Sequence, residues 1–212
     1  HKLVSGELSR RTEYIHNLTV QWVLALLGIA LWQSQGRDWA DLGISLTIDG
    51  RFMLVAAAVV LIIVLFAWQL ISVQKANAKL IDRLSSDFES VAAMLPHTSS
   101  ELHAFYGLSF TAGIVEELLW RGFLIAYLSQ FVPIWAAAVI SALVFGISHA
   151  YQGISNTPKI FAVGLVFSGL YILSGSLWLP MLLHFAMDAL QGRTAYDFLR
   201  VKSQAGSAPA IA

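Results

Sequence analysis

The feature that most constrains the fold is an uncharged, mostly apolar run that extends over residues 52–73. A helix of about 20 such residues crosses the hydrocarbon core of a bilayer. Charged side chains are scarce along the whole chain, since they form 12% of the 212 residues while 57% are hydrophobic. Soluble domains carry roughly 25% charged residues, and they need polar groups to cover their surface. The sequence therefore predicts an integral membrane protein.

Six mostly apolar stretches are predicted membrane spans, so we expect an all-α polytopic helical bundle with about six transmembrane helices. The first stretch lacks the small-residue cleavage site of a signal peptide, and we interpret it as a span. Thr98, with Glu101 three residues later, predicts a capping box at the start of the third span. The predicted spans are residues 14–32, 52–73, 102–128, 132–149, 160–173 and 177–190.

One segment between the second and third spans has a different pattern. Residues 76–95 repeat apolar side chains at the 3.6-residue period of a helix, and their charged side chains fall on the other faces. This pattern predicts one amphipathic helix that lies in the membrane interface.

The basic residues predict the orientation of the chain. With six crossings both termini share one side, and that side collects ten of the 13 basic residues, against Arg37 and Arg51 on the other. Positive charge is enriched in cytoplasmic loops, so both termini are predicted to be cytoplasmic. We expect a multi-pass protein of the plasma membrane, specifically a prokaryotic inner membrane. The ten residues are Lys2, Arg10, Arg11, Lys75, Lys79, Arg83, Lys159, Arg193, Arg200 and Lys202.

Charge balance and cysteine content exclude several classes of protein. The formal net charge is zero and no basic stripe is present, so no nucleic-acid partner is expected. The chain has no cysteine, which excludes disulfide scaffolds, thiolate metal sites and a cysteine nucleophile.

The third predicted span carries Glu116, Glu117 and Arg121 in its interior, and ionisable groups inside a span mark a functional site by default. Glu117 and Arg121 are four residues apart, so they share a helix face and can pair. Glu116 lies on an adjacent face without that partner. A carboxyl group in a low-dielectric site can act as a general acid or base. The alternative interpretation is a structural charge network that joins helices.

Two other predicted spans carry ionisable side chains at a similar depth. His149 ends a Phe-x-x-x-His motif that begins at Phe145, and taken alone it is typical of a helix terminus. His184 and Asp188 share a helix face, so the carboxylate can orient the imidazole. A polar cavity open to the cytoplasm would hold all these groups together. We interpret the layout as catalytic: a carboxyl group and a histidine activate water, while a second histidine stabilises charge.

These motifs resemble those of a known family. Glu-Glu-x-x-x-Arg at residues 116–121, Phe-x-x-x-His at 145–149 and His-x-x-x-Asp at 184–188 each lie on their own predicted span. The set is similar to the CAAX-protease and bacteriocin-processing intramembrane endopeptidases, which include the Ras and a-factor converting endopeptidase. The resemblance covers residues 102–191. We accordingly divide the chain into a two-span region with the interfacial helix (1–101), a catalytic four-helix membrane core (102–191) and a cytoplasmic tail (192–212). Residues 203–212 are small and polar, and this composition predicts disorder.

The resemblance implies a role for each motif residue in a glutamic endopeptidase. Glu116 and His149 would activate the attacking water, while His184 and Asp188 would support the oxyanion. The prenyl-protein-processing members typically have Asn in place of Asp188, and an ionised Asp cannot donate a hydrogen bond. Asp188 is therefore either protonated or serves to orient His184. The supporting residues would be Glu117, Arg121 and Phe145.

The expected function is hydrolysis of a peptide bond near the cytoplasmic membrane face. Expected partners are membrane lipid and a protein or peptide substrate, including C-terminal tails of lipid-modified proteins. No cofactor is expected, although a Glu/His/His set can bind zinc, which is the alternative. A non-proteolytic immunity or partner-regulating protein on the same scaffold is the alternative function. A small transporter or proton relay is disfavoured because the chain has no two-fold repeat.

Overall fold

In the computed structural model, residues 9–75 and 94–207 are described, and within these ranges there is no strand. The predicted all-α bundle is confirmed. The helices are α1 (Arg10–Ser34), α2 (Gly50–Gln74), α3 (Ser99–Glu117), α4 (Ile125–Leu128), α5 (Ile134–Ser148), α6 (Thr157–Ser174) and α7 (Trp178–Ser207). A π-helical segment, Leu118–Leu124, joins α3 to α4. Short 3₁₀ turns lie at Trp39–Leu42, Ala150–Gln152 and Ile154–Asn156.

Each predicted span coincides with helical structure. By length and composition, α1, α2 and the segment Ile154–Ser174 that contains α6 can cross a membrane, and α5 is a shorter apolar helix. The ionisable residues of the candidate site lie on α3, in the π-helical segment that follows it, at the end of α5 and on α7. Large apolar side chains of α1 and α2 point away from the bundle, as Leu54 does with 73% of its surface exposed. This outward arrangement of apolar side chains is what lipid requires as a solvent.

The two flanking predictions have different outcomes. The interfacial helix predicted for residues 76–95 lies almost wholly outside the described residues. Helix α7 runs past the predicted end of the sixth span to Ser207, so the expectation of disorder from residue 203 is wrong as far as Ser207. Phe198 packs against Val73 of α2, and tertiary packing of this kind supports a helix beyond its membrane span. The division at residues 101 and 191 stays a prediction.

Side-chain caps define where the helices begin. The Thr98 hydroxyl accepts from the N–H of Glu101 at 3.2 Å, and the Glu101 carboxylate accepts from the N–H of Thr98 at 3.1 Å. This is the predicted capping box. Asp49 caps α2 by accepting from the N–H of Phe52 at 2.8 Å, and that bond lowers the pKa of the exposed Asp49 carboxyl group.

Two glycines bring the helices of the bundle into close contact. Helix α7 packs against α2 and α3, α3 also packs against α1, and α5 packs against α6. At Gly113 of α3 a Cβ would lie 2.9 Å from the backbone nitrogen of Phe185 on α7. At Gly164 of α6 a Cβ would lie 3.2 Å from the Cα of Ala142 on α5. These approaches place the ionisable residues of separate helices within hydrogen-bonding reach of one another.

Candidate active site

A buried ion pair lies at the centre of the site. Arg121 Nη1 donates to Glu117 Oε1 at 2.8 Å, and both side chains are 0% exposed. Arg121 Nη2 donates to the carbonyl of Gly164 at 3.3 Å. The guanidinium lies over the rings of Phe145 and Phe167, 4.5 and 5.2 Å from their centroids. The structure thus forms the pair that the spacing predicts, and cation–π contacts and a carbonyl compensate its desolvation.

His184 extends this network towards solvent. Its Nδ1 lies 2.7 Å from Glu117 Oε1, the oxygen that also accepts from Arg121. An ionised carboxylate only accepts, so Nδ1 carries the proton. His184 Nε2 lies 3.6 Å from Asp188 Oδ2, which is too long for a direct hydrogen bond. The sequence paired His184 with Asp188, whereas the close approach of α3 and α7 makes Glu117 its nearer carboxylate.

Glu116 and His149 form a second, looser pair. Glu116 Oε2 lies 3.5 Å from His149 Nε2, and it has no hydrogen-bond partner in the described part of the chain. His149 Nδ1 lies 2.9 Å from the carbonyl oxygen of Phe145. A carbonyl only accepts, so Nδ1 is protonated, and in the neutral form of the ring the Nε2 lone pair faces Glu116. Hydrogen bonds between catalytic groups are often long before substrate binds. One water molecule beside these two facing atoms would contact both of them.

Exposure rises across the site. The buried ion pair is 0% exposed, the His184 side chain 8%, Glu116 and His149 14% each, and Asp188 32%. Solvent therefore reaches the site from the side of Asp188, one helical turn beyond His184. The structure brings the six ionisable side chains of the three motifs together in one region.

The helix that carries the two glutamates widens within the site. Its π-helical segment begins directly after Glu117 and contains Arg121. The carbonyl oxygen of Trp120, within this segment, accepts from the Ser141 hydroxyl of α5 at 2.7 Å. Isolated π segments are frequent at functional sites. The sequence analysis predicted an ordinary helix here, because one added residue per turn leaves no compositional signal.

Comparison with known proteins agrees with this geometry. Residues 98–190 match the family model described as type II CAAX prenyl endopeptidase Rce1-like. This segment is similar to the Rce1-like family. The family resemblance predicted from the three motifs is thereby confirmed, and the match contains every predicted site residue.

One curated protein is similar to part of this chain. An uncharacterized 24.3 kDa protein of Escherichia coli is 37% identical over 82 residues, which are 37% of this chain and 38% of that protein. The alignment thus spans well under half of the relative's length. No solved structure matches the chain.

Three contacts of the site were missed by the sequence analysis. Gln21 of α1, outside the Rce1-like segment, donates to Glu116 Oε1 at 2.8 Å. Its only sequence signal is a polar amide within an apolar span. The ring of Phe167 lies 5.4 Å from that of His184, and Tyr151 stacks on His149 at 5.8 Å. Aromatic residues are common in membrane helices, so their positions alone do not indicate these contacts.

Proposed function

We propose that this protein is an intramembrane glutamic endopeptidase in which Glu116 and His149 activate water to hydrolyse a peptide bond near the cytoplasmic membrane face. The observation that carries the proposal is the facing pair Glu116 Oε2 and His149 Nε2 at 3.5 Å. Each of these side chains is held at its other polar atom, by Gln21 and by the Phe145 carbonyl respectively. Such a pair is preorganised to bind and deprotonate one water.

In the proposed reaction the water donates one O–H to Glu116 and the other to His149. Glu116 takes its proton as the water oxygen bonds to the substrate carbonyl carbon, and the carbonyl electron pair moves onto oxygen. The carbon–nitrogen bond then breaks, and the proton on Glu116 passes to the leaving amine. General acid–base catalysis by one positioned group contributes about 10²–10⁴-fold to the rate.

His184 is proposed to stabilise the oxyanion. With both ring nitrogens protonated, Nδ1 donates to Glu117 and Nε2 is available to donate to the developing negative oxygen. The carboxylates of Glu117 and Asp188 lie on either side of this ring, at 2.7 and 3.6 Å. Together with Arg121 they balance the charge of the protonated ring. Asp188 therefore orients His184 in this proposal, and no donor role is required of it.

The proposed substrates are membrane-embedded proteins or peptides, including the C-terminal tails of lipid-modified proteins. The description of the matching family supports this class. We also propose that both termini of the chain are cytoplasmic, in a prokaryotic inner membrane, as the distribution of basic residues predicts. A cysteine-accessibility assay at each terminus in intact and permeabilised cells tests the orientation.

We propose that the reaction uses no metal, with zinc as the competing cofactor. Among the described residues, no three His, Asp or Glu side chains are grouped to hold one ion. His184 Nδ1 and Glu117 Oε1 already bond to each other. Purified active protein is expected to contain substoichiometric zinc and to keep its activity after dialysis against a chelator. Stoichiometric zinc together with loss of activity in chelator contradicts this part of the proposal.

The test of the mechanism is Glu116→Gln in proteoliposomes with a prenylated C-a-a-X peptide and with its unprenylated counterpart. Loss of the carboxylate base is expected to lower kcat/KM by about 10²–10⁴-fold, and His149→Ala is expected to act in the same range. The matched control is Glu101→Gln, the same chemical change on the same helix at a position where Gln preserves the capping box. Cleavage by Glu116→Gln at the control rate overturns the mechanism. A cellular phenotype that survives Glu116→Gln assigns a binding function instead.

A further inference from the structure

Gln21 is a polar side chain in the middle of α1, directly before the apolar run of residues 22–32. Helix α1 is a candidate membrane span. The side-chain amide of Gln21 extends from this helix to Glu116 on α3. Gln21 Nε2 donates to Glu116 Oε1 at 2.8 Å. The carboxylate can only accept, so the NH₂ end of the amide is the end that faces it.

The hydrogen bond makes the two oxygens of Glu116 different. Oε1 is occupied by Gln21, whereas Oε2 faces His149 and has no hydrogen-bond partner in the described part of the chain. A carboxylate that is free to rotate would exchange these two positions. The amide therefore fixes which oxygen meets His149, and in a low-dielectric site a bond to a charged acceptor is strong.

Helix α1 packs against α3 before Gln21 and against the π-helical segment after it. Seven residues before it, the Tyr14 hydroxyl donates to the carbonyl of Met94 at 2.6 Å, and the Tyr14 ring contacts Phe105 edge-on at 5.7 Å. Seven residues after it, a Cβ at Gly28 would lie 3.3 Å from the side chain of Leu119. The amide is thus placed by a packed helix pair and not by a mobile surface side chain.

We propose that Gln21 is a positioning residue of the active site, supplied by a helix outside the Rce1-like segment, and that it acts on the reaction through Glu116. The inference rests on the proposed function, because it needs Glu116 to be the base. It extends the working site beyond residues 98–190 to α1.

The experiment compares Gln21→Met, which keeps the shape and removes the donor, with Gln21→Asn, which keeps the amide on a shorter stem. With the cleavage assay above, Gln21→Met is expected to lower kcat by about ten-fold or more, as the loss of a hydrogen bond to a charged group predicts. KM is expected to stay within about two-fold, and Gln21→Asn is expected to recover part of kcat. The matched control is Gln33→Met, the same change at an exposed position of the same helix, with wild-type kcat.

A double variant separates positioning from a structural role. In the Glu116→Gln background, Gln21→Met is expected to lower the residual rate no further, because the group it positions is gone. Wild-type kcat for Gln21→Met, alongside an inactive Glu116→Gln, overturns the role of Gln21 alone. A further loss in the double variant equal to that in the wild-type background also overturns it. Full activity of Glu116→Gln overturns the proposed function, and the Gln21 proposal with it.

Discussion

Among the described residues, two acid–arginine ion pairs have the same helical spacing and different surroundings. Glu117 and Arg121 bond at 2.8 Å with both side chains 0% exposed. Arg193 Nε and Asp197 Oδ2 bond at 2.9 Å, but Arg193 is 41% exposed and Asp197 8%. In both pairs the carboxylate also accepts from another helix, from a histidine of the site in the first and from Gln74 at 2.7 Å in the second.

The difference between them shows that environment, and not spacing, determines what such a pair does. Arg121 is fully buried and contacts two aromatic rings and a carbonyl, so its charge is fixed in place. It holds Glu117, and Glu117 in turn orients His184. Arg193 lies over the ring of Tyr196 at 5.9 Å and remains open to solvent. Through Gln74, the second pair joins the end of α2 to the middle of α7, and it has no part in the proposed chemistry.

Of the substitutions that test this comparison, we expect the largest loss of stability at the buried pair of Glu117 and Arg121. Arg121→Met leaves the Glu117 charge buried without compensation, and we expect the free energy of unfolding to fall by about 3–5 kcal/mol. The double variant Arg121→Met with Glu117→Gln removes that charge and is expected to recover most of the loss. Thermal unfolding in detergent measures both. A single variant that is as stable as wild type contradicts the buried-charge argument.

A smaller effect is expected at the helix contact that brings this pair to its histidine. In Gly113→Ala the new Cβ meets backbone atoms of α7 at 2.9 and 3.0 Å, which cannot move away as a side chain tip can. We expect a loss of about 1–3 kcal/mol in stability, together with reduced cleavage. The control is Gly107→Ala on the same helix, which meets nothing within 4 Å. It is expected to stabilise α3 by about 0.5–1 kcal/mol. Equal effects at both positions contradict the role given to the contact.

The smallest effect is expected at the exposed pair. Arg193→Gln removes an ion pair that water screens, so stability is expected to change by no more than about 1 kcal/mol, and cleavage is expected to stay at the wild-type rate. Thermal unfolding and the cleavage assay check both values. A loss comparable to that of Arg121→Met shows that burial does not separate the two pairs.

The fold was predictable from sequence because lipid imposes one simple rule. A spanning segment must be apolar and satisfy its own backbone hydrogen bonds, so each predicted span coincides with helical structure. The end of α7 was not predictable in this way. Beyond the apolar run its helix is supported by packing of Phe198 against Val73, a contact between residues that are far apart in sequence.

The ionisable residues of the candidate site were predictable from the sequence, whereas their hydrogen-bond partners were predictable only in part. Spacing along one helix identifies the pairing of Glu117 with Arg121, since residues four apart share a face. It cannot identify a partner on another helix, and for this reason it missed the bond between Gln21 and Glu116. Spacing also paired His184 with Asp188 on its own helix and missed Glu117, the nearer carboxylate. That contact depends on the close approach of α3 and α7 at Gly113, and helix packing of this kind cannot be inferred from spacing.

The π-helical segment gives the third predicted span one residue more than a regular α-helix needs between its two ends. One residue of an α-helix corresponds to about 100° of rotation, and the wider π turn absorbs that rotation. Deleting one residue from Leu118–Leu124 is therefore expected to return the segment to an α-helix and to leave the glutamates before it and the residues Ile125–Leu128 after it close to their present faces. The residues inside the segment, Arg121 among them, would change position, so such a deletion would disturb the buried ion pair more than the packing of the two flanking ends.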